Sequence, residues 1–161
     1  MSAWRLGPLL ALVVTTGLLA ASASATTHSA AGCPGMNAVT YKGKPGYRFC
    51  GPATATVHLG ARTFRFSGGL CRKVEGAYTI NIGTLVPALW TGKPPYFGIT
   101  THSASPGMQG DAAVGFVAAG RRYAIAEQVV VLAPGLHTGT FSGRVLGSST
   151  RVTGSFSCGG G

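Results

Sequence analysis

From Ala53 onward the chain repeats one pattern: short bursts in which apolar residues fall at every second position, each burst ended by Gly, Pro, Ser or Asn. Ala55, Val57 and Leu59 share one face of such a burst, and after Gly60-Ala61 a second arm places Phe64 and Phe66 on one face. A period of two is the geometry of a β-strand with one buried face, and the paired arms read as a hairpin. Leu70 to Lys73 and Tyr78-Thr79-Ile80-Asn81-Ile82 continue the alternation. Further strands are predicted over residues 96–101, 113–118, 123–132, 138–146 and 151–158, giving eight or nine in all. The 3.6-residue spacing of an amphipathic helix is missing from these bursts. Glycine is abundant (26 residues) and charged side chains make up only 10%, which suits many short strands joined by tight turns. The expected fold is therefore all-β, an antiparallel sandwich or a partly closed barrel, with pattern alone leaving that choice open.

The first residues belong to a different regime. Arg5 precedes an apolar run from Leu6 to Ala20, and Ala23-Ser24-Ala25 supplies the small side chains a signal peptidase needs. Residues 1–25 read as a secretory signal peptide cut before Thr26, and the run is short for a membrane span. Ala30-Ala31-Gly32-Cys33 is similar to a lipid-attachment box, but polar Thr26-Thr27-His28-Ser29 separates it from the apolar run, so Cys33 reads as an ordinary cysteine. Residues 26–52, with Pro34-Gly35, Gly43-Lys44-Pro45-Gly46 and Gly51-Pro52, read as a loop-rich N-terminal segment. Residues 53–158 form the β domain, and 159–161 a glycine tail with nothing to pack.

Four cysteines, Cys33, Cys50, Cys71 and Cys158, remain after the signal peptide. An even number in an exported chain predicts two disulfides, for which three pairings exist. Order along the chain favours Cys33–Cys50 and Cys71–Cys158. The cysteine and histidine spacing carries no zinc signature, so neither a metal nor another cofactor is expected.

Without Arg5 the chain keeps 12 of its 13 cations and all three carboxylates, a net charge of about +9 (12 minus 3). Such a balance favours polyanionic partners, among which acidic envelope polymers, lipids and surface proteins come first. The cations are dispersed, and the pairs Arg72-Lys73 and Arg121-Arg122 lack the interleaved aromatics of single-strand nucleic-acid binders, so no specific nucleic acid is expected.

Catalytic material is thin. Four histidines and three carboxylates cannot supply a paired-carboxylate centre with ease, and no GxSxG elbow, phosphate loop or HExxH motif occurs. His58 lies opposite the apolar face of its strand and His137 in a turn. His102 beside Ser103 and Ser105 is the most enzyme-like set, although a triad is a spatial arrangement that neighbours in sequence do not define. The chain is therefore read as non-catalytic. Its most functional-looking stretch is residues 90–97, where rigid prolines hold Trp90, Lys93, Tyr96 and Phe97 together. Trp90 and Tyr96 can stack on a sugar or an apolar ligand and Lys93 can meet an anion. The competing reading turns Trp90 and Phe97 inward to plug one end of the sandwich.

The order Cys71, Tyr78-Thr79-Ile80-Asn81-Ile82-Gly83, Gly92-Lys93-Pro94-Pro95, Arg122-Tyr123-Ala124-Ile125 and Thr153-Gly154-Ser155-Phe156-Ser157-Cys158 resembles the mycobacterial lipoprotein antigen (LpqH-like) family. The resemblance covers residues 70–158. It implies an exported, β-rich envelope protein with Cys71 bridged to Cys158 and no enzymatic role. It transfers no catalytic residue, and the family's lipid-bearing cysteine directly after the apolar run has no equivalent in this chain.

Overall fold

The computed structural model describes residues 33, 35–89 and 91–159; the signal-peptide reading, Trp90 and the last two glycines lie outside them. Twelve strands form one antiparallel sheet and no helix occurs among the described residues. They are β1 (Met36–Tyr41), β2 (Lys44–Phe49), β3 (Thr54–Leu59), β4 (Arg62–Ser67), β5 (Gly69–Val74) and β6 (Ala77–Leu85). There follow β7 (Tyr96–Thr101), β8 (Gly107–Gln109), β9 (Ala113–Ala118), β10 (Arg121–Leu132), β11 (Thr138–Val145) and β12 (Arg151–Ser157). Their hydrogen-bonded order is β1-β2-β6-β7-β9-β10-β11-β12-β3-β4, with β5 added to β6 and β8 to β10.

Two bends fold this open sheet into a two-layered sandwich. β10 pairs with β9 through Arg121 to Ala124, then with β11 from Ile125 onward. Between Ala126 and Val129 its register shifts, and Glu127 takes a positive φ of 50°. An extra residue in one strand increases local twist and bends the ladder, which lets a single strand serve both layers. At the other corner β4 runs through Gly68 (φ 78°) into β5, leaving β3 and joining β6.

The inner faces carry the alternating residues read from the sequence. Val57, Ile80, Ile82, Phe97, Val130 and Val152 are fully shielded from solvent. Aromatic rings bridge the layers: Phe97 of β7 lies 5.7 Å from Phe66 of β4 and 5.4 Å from Phe141 of β11, centroid to centroid. Phe116 stacks on Tyr123 at 4.7 Å and contacts Phe66 at 6.3 Å. Contacts of this kind contribute about 0.5–1.5 kcal/mol each beyond area burial. The bridges are Cys33–Cys50 and Cys71–Cys158, with Cα separations of 5.8 and 5.6 Å. The second fastens β5 of one layer to the end of β12 in the other.

The eight or nine expected strands become twelve through β1, β2 and the three-residue β8. The segment read as loop-rich is a regular hairpin, in register from Met36↔Phe49 to Tyr41↔Lys44. Its turn is Lys42-Gly43, both with positive φ (49° and 71°), the geometry that matches strand twist in a two-residue hairpin. Glu75-Gly76 and Ala119-Gly120 repeat this turn. Pro45 is compatible with the sheet because β2 meets β6 only through Tyr47 to Phe49.

Candidate functional site: a cleft on the outer face of the sheet

Between β6 and β7, Val86 and Pro87 on one side and Lys93 and Pro94 on the other stand against the outer face of β6, β7 and β9. In this region the outer face is apolar. In β9 the run Val114 to Ala118 departs from alternation: Phe116 and Ala118 face the core, yet Val117 between them is also buried. Phe49 from β2, Val86 and Val117 are buried on this side without belonging to the main core, and Pro94 is buried with them. A small satellite cluster beneath a long connection results.

Tyr96 organises the cluster. Its ring lies 6.1 Å from that of Phe49, and its hydroxyl donates a 2.6 Å hydrogen bond to Asn81 Oδ1. Tyr96 occupies space that only glycine leaves free, since a Cβ on Gly98 would stand in collision with the Tyr96 hydroxyl. Burial pushes the Tyr96 phenol up to about 12, against the opposing pull of the Arg122 guanidinium. The phenol is therefore a neutral, hydrogen-bonded wall of the site.

Between this cluster and the strands runs a cleft of about 230 Å³, lined by Thr84, Leu85, Val86, Pro87, Lys93, Pro94, Tyr96, Gly115, Phe116, Val117 and Arg122. Ladder pairing explains its shape. Tyr96, Val117 and Arg122 form one cross-strand row on the outer face, and Gly98, Gly115 and Ala124 form the next; the Tyr96 ring covers Gly98, while Gly115, with no side chain, lines the cleft. No carboxylate lines the cleft, and two cations do. A third stands close by: a Cβ on Gly92 would lie 2.8 Å from Lys42 Nζ, so the β1–β2 turn abuts the 86–95 segment. The β9–β10 turn meets the same point, with the Cβ position of Gly120 3.8 Å from Gly92 Cα. Cations dispersed along the sequence, Lys42, Lys93 and Arg122, are thus drawn to one locality, whereas Arg121 lies over the Tyr123 ring at 5.9 Å.

Of the residues singled out from the sequence, Lys93 and Tyr96 line the cleft. Phe97 does not: it is wholly buried between the layers, because strand alternation sends it inward when Tyr96 faces out. A ligand-contacting role for Phe97 is corrected accordingly. Trp90 falls outside the described residues. Sequence reading missed Val86, Val117, Gly115 and Arg122. The available signals were the two-faced apolar run Phe116-Val117-Ala118 and the strand glycines Gly98 and Gly115, since glycine inside a strand marks close approach.

Comparison with family models, curated proteins and solved structures finds no match. Other chemistry-bearing residues stay apart. His58 is exposed and hydrogen-bonds Thr63 Oγ1 at 3.0 Å. His102 and His137 are exposed, and Ser103 accepts a bond from Thr101 Oγ1 through its backbone carbonyl. Among the described residues no group of three or more His, Cys, Asp or Glu side chains is arranged to hold a metal ion.

Proposed function

We propose that this protein is an exported, envelope-associated binding protein without catalytic activity, and that the cleft beneath segment 86–95 is its small-ligand site. One observation carries the reading: a preformed, apolar-walled hollow edged by Lys93 and Arg122 on a rigid sheet, with proline at both ends of the covering segment. Ligand sites are typically concave and mostly apolar with a few placed polar groups, and a preorganised loop lowers the ordering cost of binding. The two disulfides suit an oxidising compartment. With the signal-peptide-like start and the resemblance to LpqH-like antigens, they support secretion or attachment to the cell envelope.

The test is an NMR screen of small fragments and oligosaccharides against the labelled mature chain, mapped on backbone amides. Hits should cluster at Thr84 to Val86, Lys93, Val117 and Arg122. Hits confined to other surfaces would move the site elsewhere. Turnover of ester or glycoside substrates that disappears in His102→Ala would replace the binding reading with a hydrolytic one.

A further inference from the structure

The geometry points to a small amphipathic monoanion, an aryl or short branched body bearing one carboxylate, as the ligand class of the cleft formed by Val86, Val117, Tyr96, Lys93 and Arg122. This rests on the cleft being a binding site.

Size sets the first limit. A dry cavity of about 150 Å³ accepts a benzene ring, so a cleft of about 230 Å³ holds one ring with a short substituent and has no room for a long acyl chain. Wall chemistry sets the second. Leu85, Val86, Pro87, Pro94 and Val117 offer no hydrogen-bonding side chain, and the phenol of Tyr96 is already committed to Asn81. A sugar, with hydroxyls around its whole rim, would leave most of them unpaired against these walls. An apolar body would not.

Charge sets the third. Lys93 and Arg122 line the cleft, Lys42 Nζ lies beside Gly92 next door, and no carboxylate lines the cleft to neutralise them. The nearest thing to competition for cations elsewhere is Glu127, whose carboxylate engages Arg144 at 3.3 Å. Arg122 stands in the same cross-strand row as Val117 and Tyr96, so its planar guanidinium is placed at the margin of the apolar floor. A guanidinium fork there matches a carboxylate in bidentate fashion, while Lys93 supplies a point charge from the covering segment.

The experiment titrates the labelled mature chain with three near-isosteric probes, phenylacetate, phenylacetamide and 2-phenylethylammonium, and with laurate. Phenylacetate should shift the cleft amides at least tenfold more tightly than phenylacetamide, and the ammonium should not bind. In K93Q/R122Q, two changes at solvent-accessible side chains, the acid-over-amide ratio should fall to near one while amide affinity is kept. Equal binding of acid and amide by the native chain would overturn the anion assignment and leave the cleft standing. Retention of the tenfold ratio in K93Q/R122Q would overturn it by placing the anion elsewhere. Laurate binding the cleft more tightly than phenylacetate would overturn the size argument in favour of a lipid chain. No cleft shift with any probe would overturn both this inference and the binding site on which it rests.

Discussion

Removing the bridge between Cys71 and Cys158 should destabilise this domain more than removing the bridge between Cys33 and Cys50, and the size of each loss follows from the topology. The two cysteines are 87 residues apart, against 17 for Cys33 and Cys50. Cross-linking limits the unfolded chain by an amount that grows with the logarithm of loop length, which gives about 4.6 kcal/mol for the long loop and about 3.1 kcal/mol for the short one. The folded unit of about 130 residues has an unfolding entropy of about 0.27 kcal/mol/K near 60 °C. Cys71→Ser/Cys158→Ser should therefore lower Tm by about 17 °C, and Cys33→Ser/Cys50→Ser by about 12 °C. Urea denaturation of both double variants measures the same quantities at 25 °C, and m should rise in each as the denatured chain expands. The Tyr78 hydroxyl donates to Leu136 O at 2.6 Å and lies 3.1 Å from Cys158 Sγ, a position the serine hydroxyl takes over in the variant, so most of the loss should report chain topology. A larger loss from the short-loop variant than from the long-loop one would refute the reasoning. So would a loss below about 1.5 kcal/mol for Cys71→Ser/Cys158→Ser, which lies far under the loop-length estimate.

Three further outcomes are expected. Gly98→Ala places a methyl against the Tyr96 hydroxyl, so the ring must leave Asn81; overpacking of this kind costs about 1–3 kcal/mol, and urea denaturation together with loss of phenylacetate binding reports it. Phe97→Ala removes a fully buried ring that touches Phe66 and Phe141, and should lower stability by about 3–5 kcal/mol, measured by the same unfolding curves. Tyr96 should ionise near 12 in an ultraviolet titration, and Tyr96→Phe should delete that step. Because its phenol loses a proton in the unfolded chain near 10 and in the folded one only near 12, its contribution to stability is complete below pH 10 and declines as pH rises through that window.

Much of this architecture is legible in local pattern, for a simple reason. A strand with one buried face must alternate, so Ala55-Val57-Leu59 and Tyr78-Ile80-Ile82 announced both their conformation and their inward faces. The hairpin β1–β2 was harder to read because its glycines and prolines also fit a loop; pairing with β6 along Tyr47 to Phe49 is what commits those residues to the sheet. Local pattern set Tyr96 and Phe97 in one predicted strand, but with aromatics at both positions it did not say which of the two faces the core.

The sequence by itself determined the all-β class, the turn chemistry, the inward residues of the main core and a cation excess with few carboxylates, because each depends on composition or on neighbours along the chain. Tertiary structure alone decided where the charge is felt. Lys42, Lys93 and Arg122 come from three different turns or strand ends, and only the crossing of β2 onto β6 and of β9 onto β7 brings those turns to Gly92. The cleft has the same origin: its floor is made of residues from β7, β9 and β10 that face outward in register, and its cover is a proline-rich segment whose path no periodicity encodes. Binding geometry is a property of contacts between distant residues, and periodicity records only contacts between near ones.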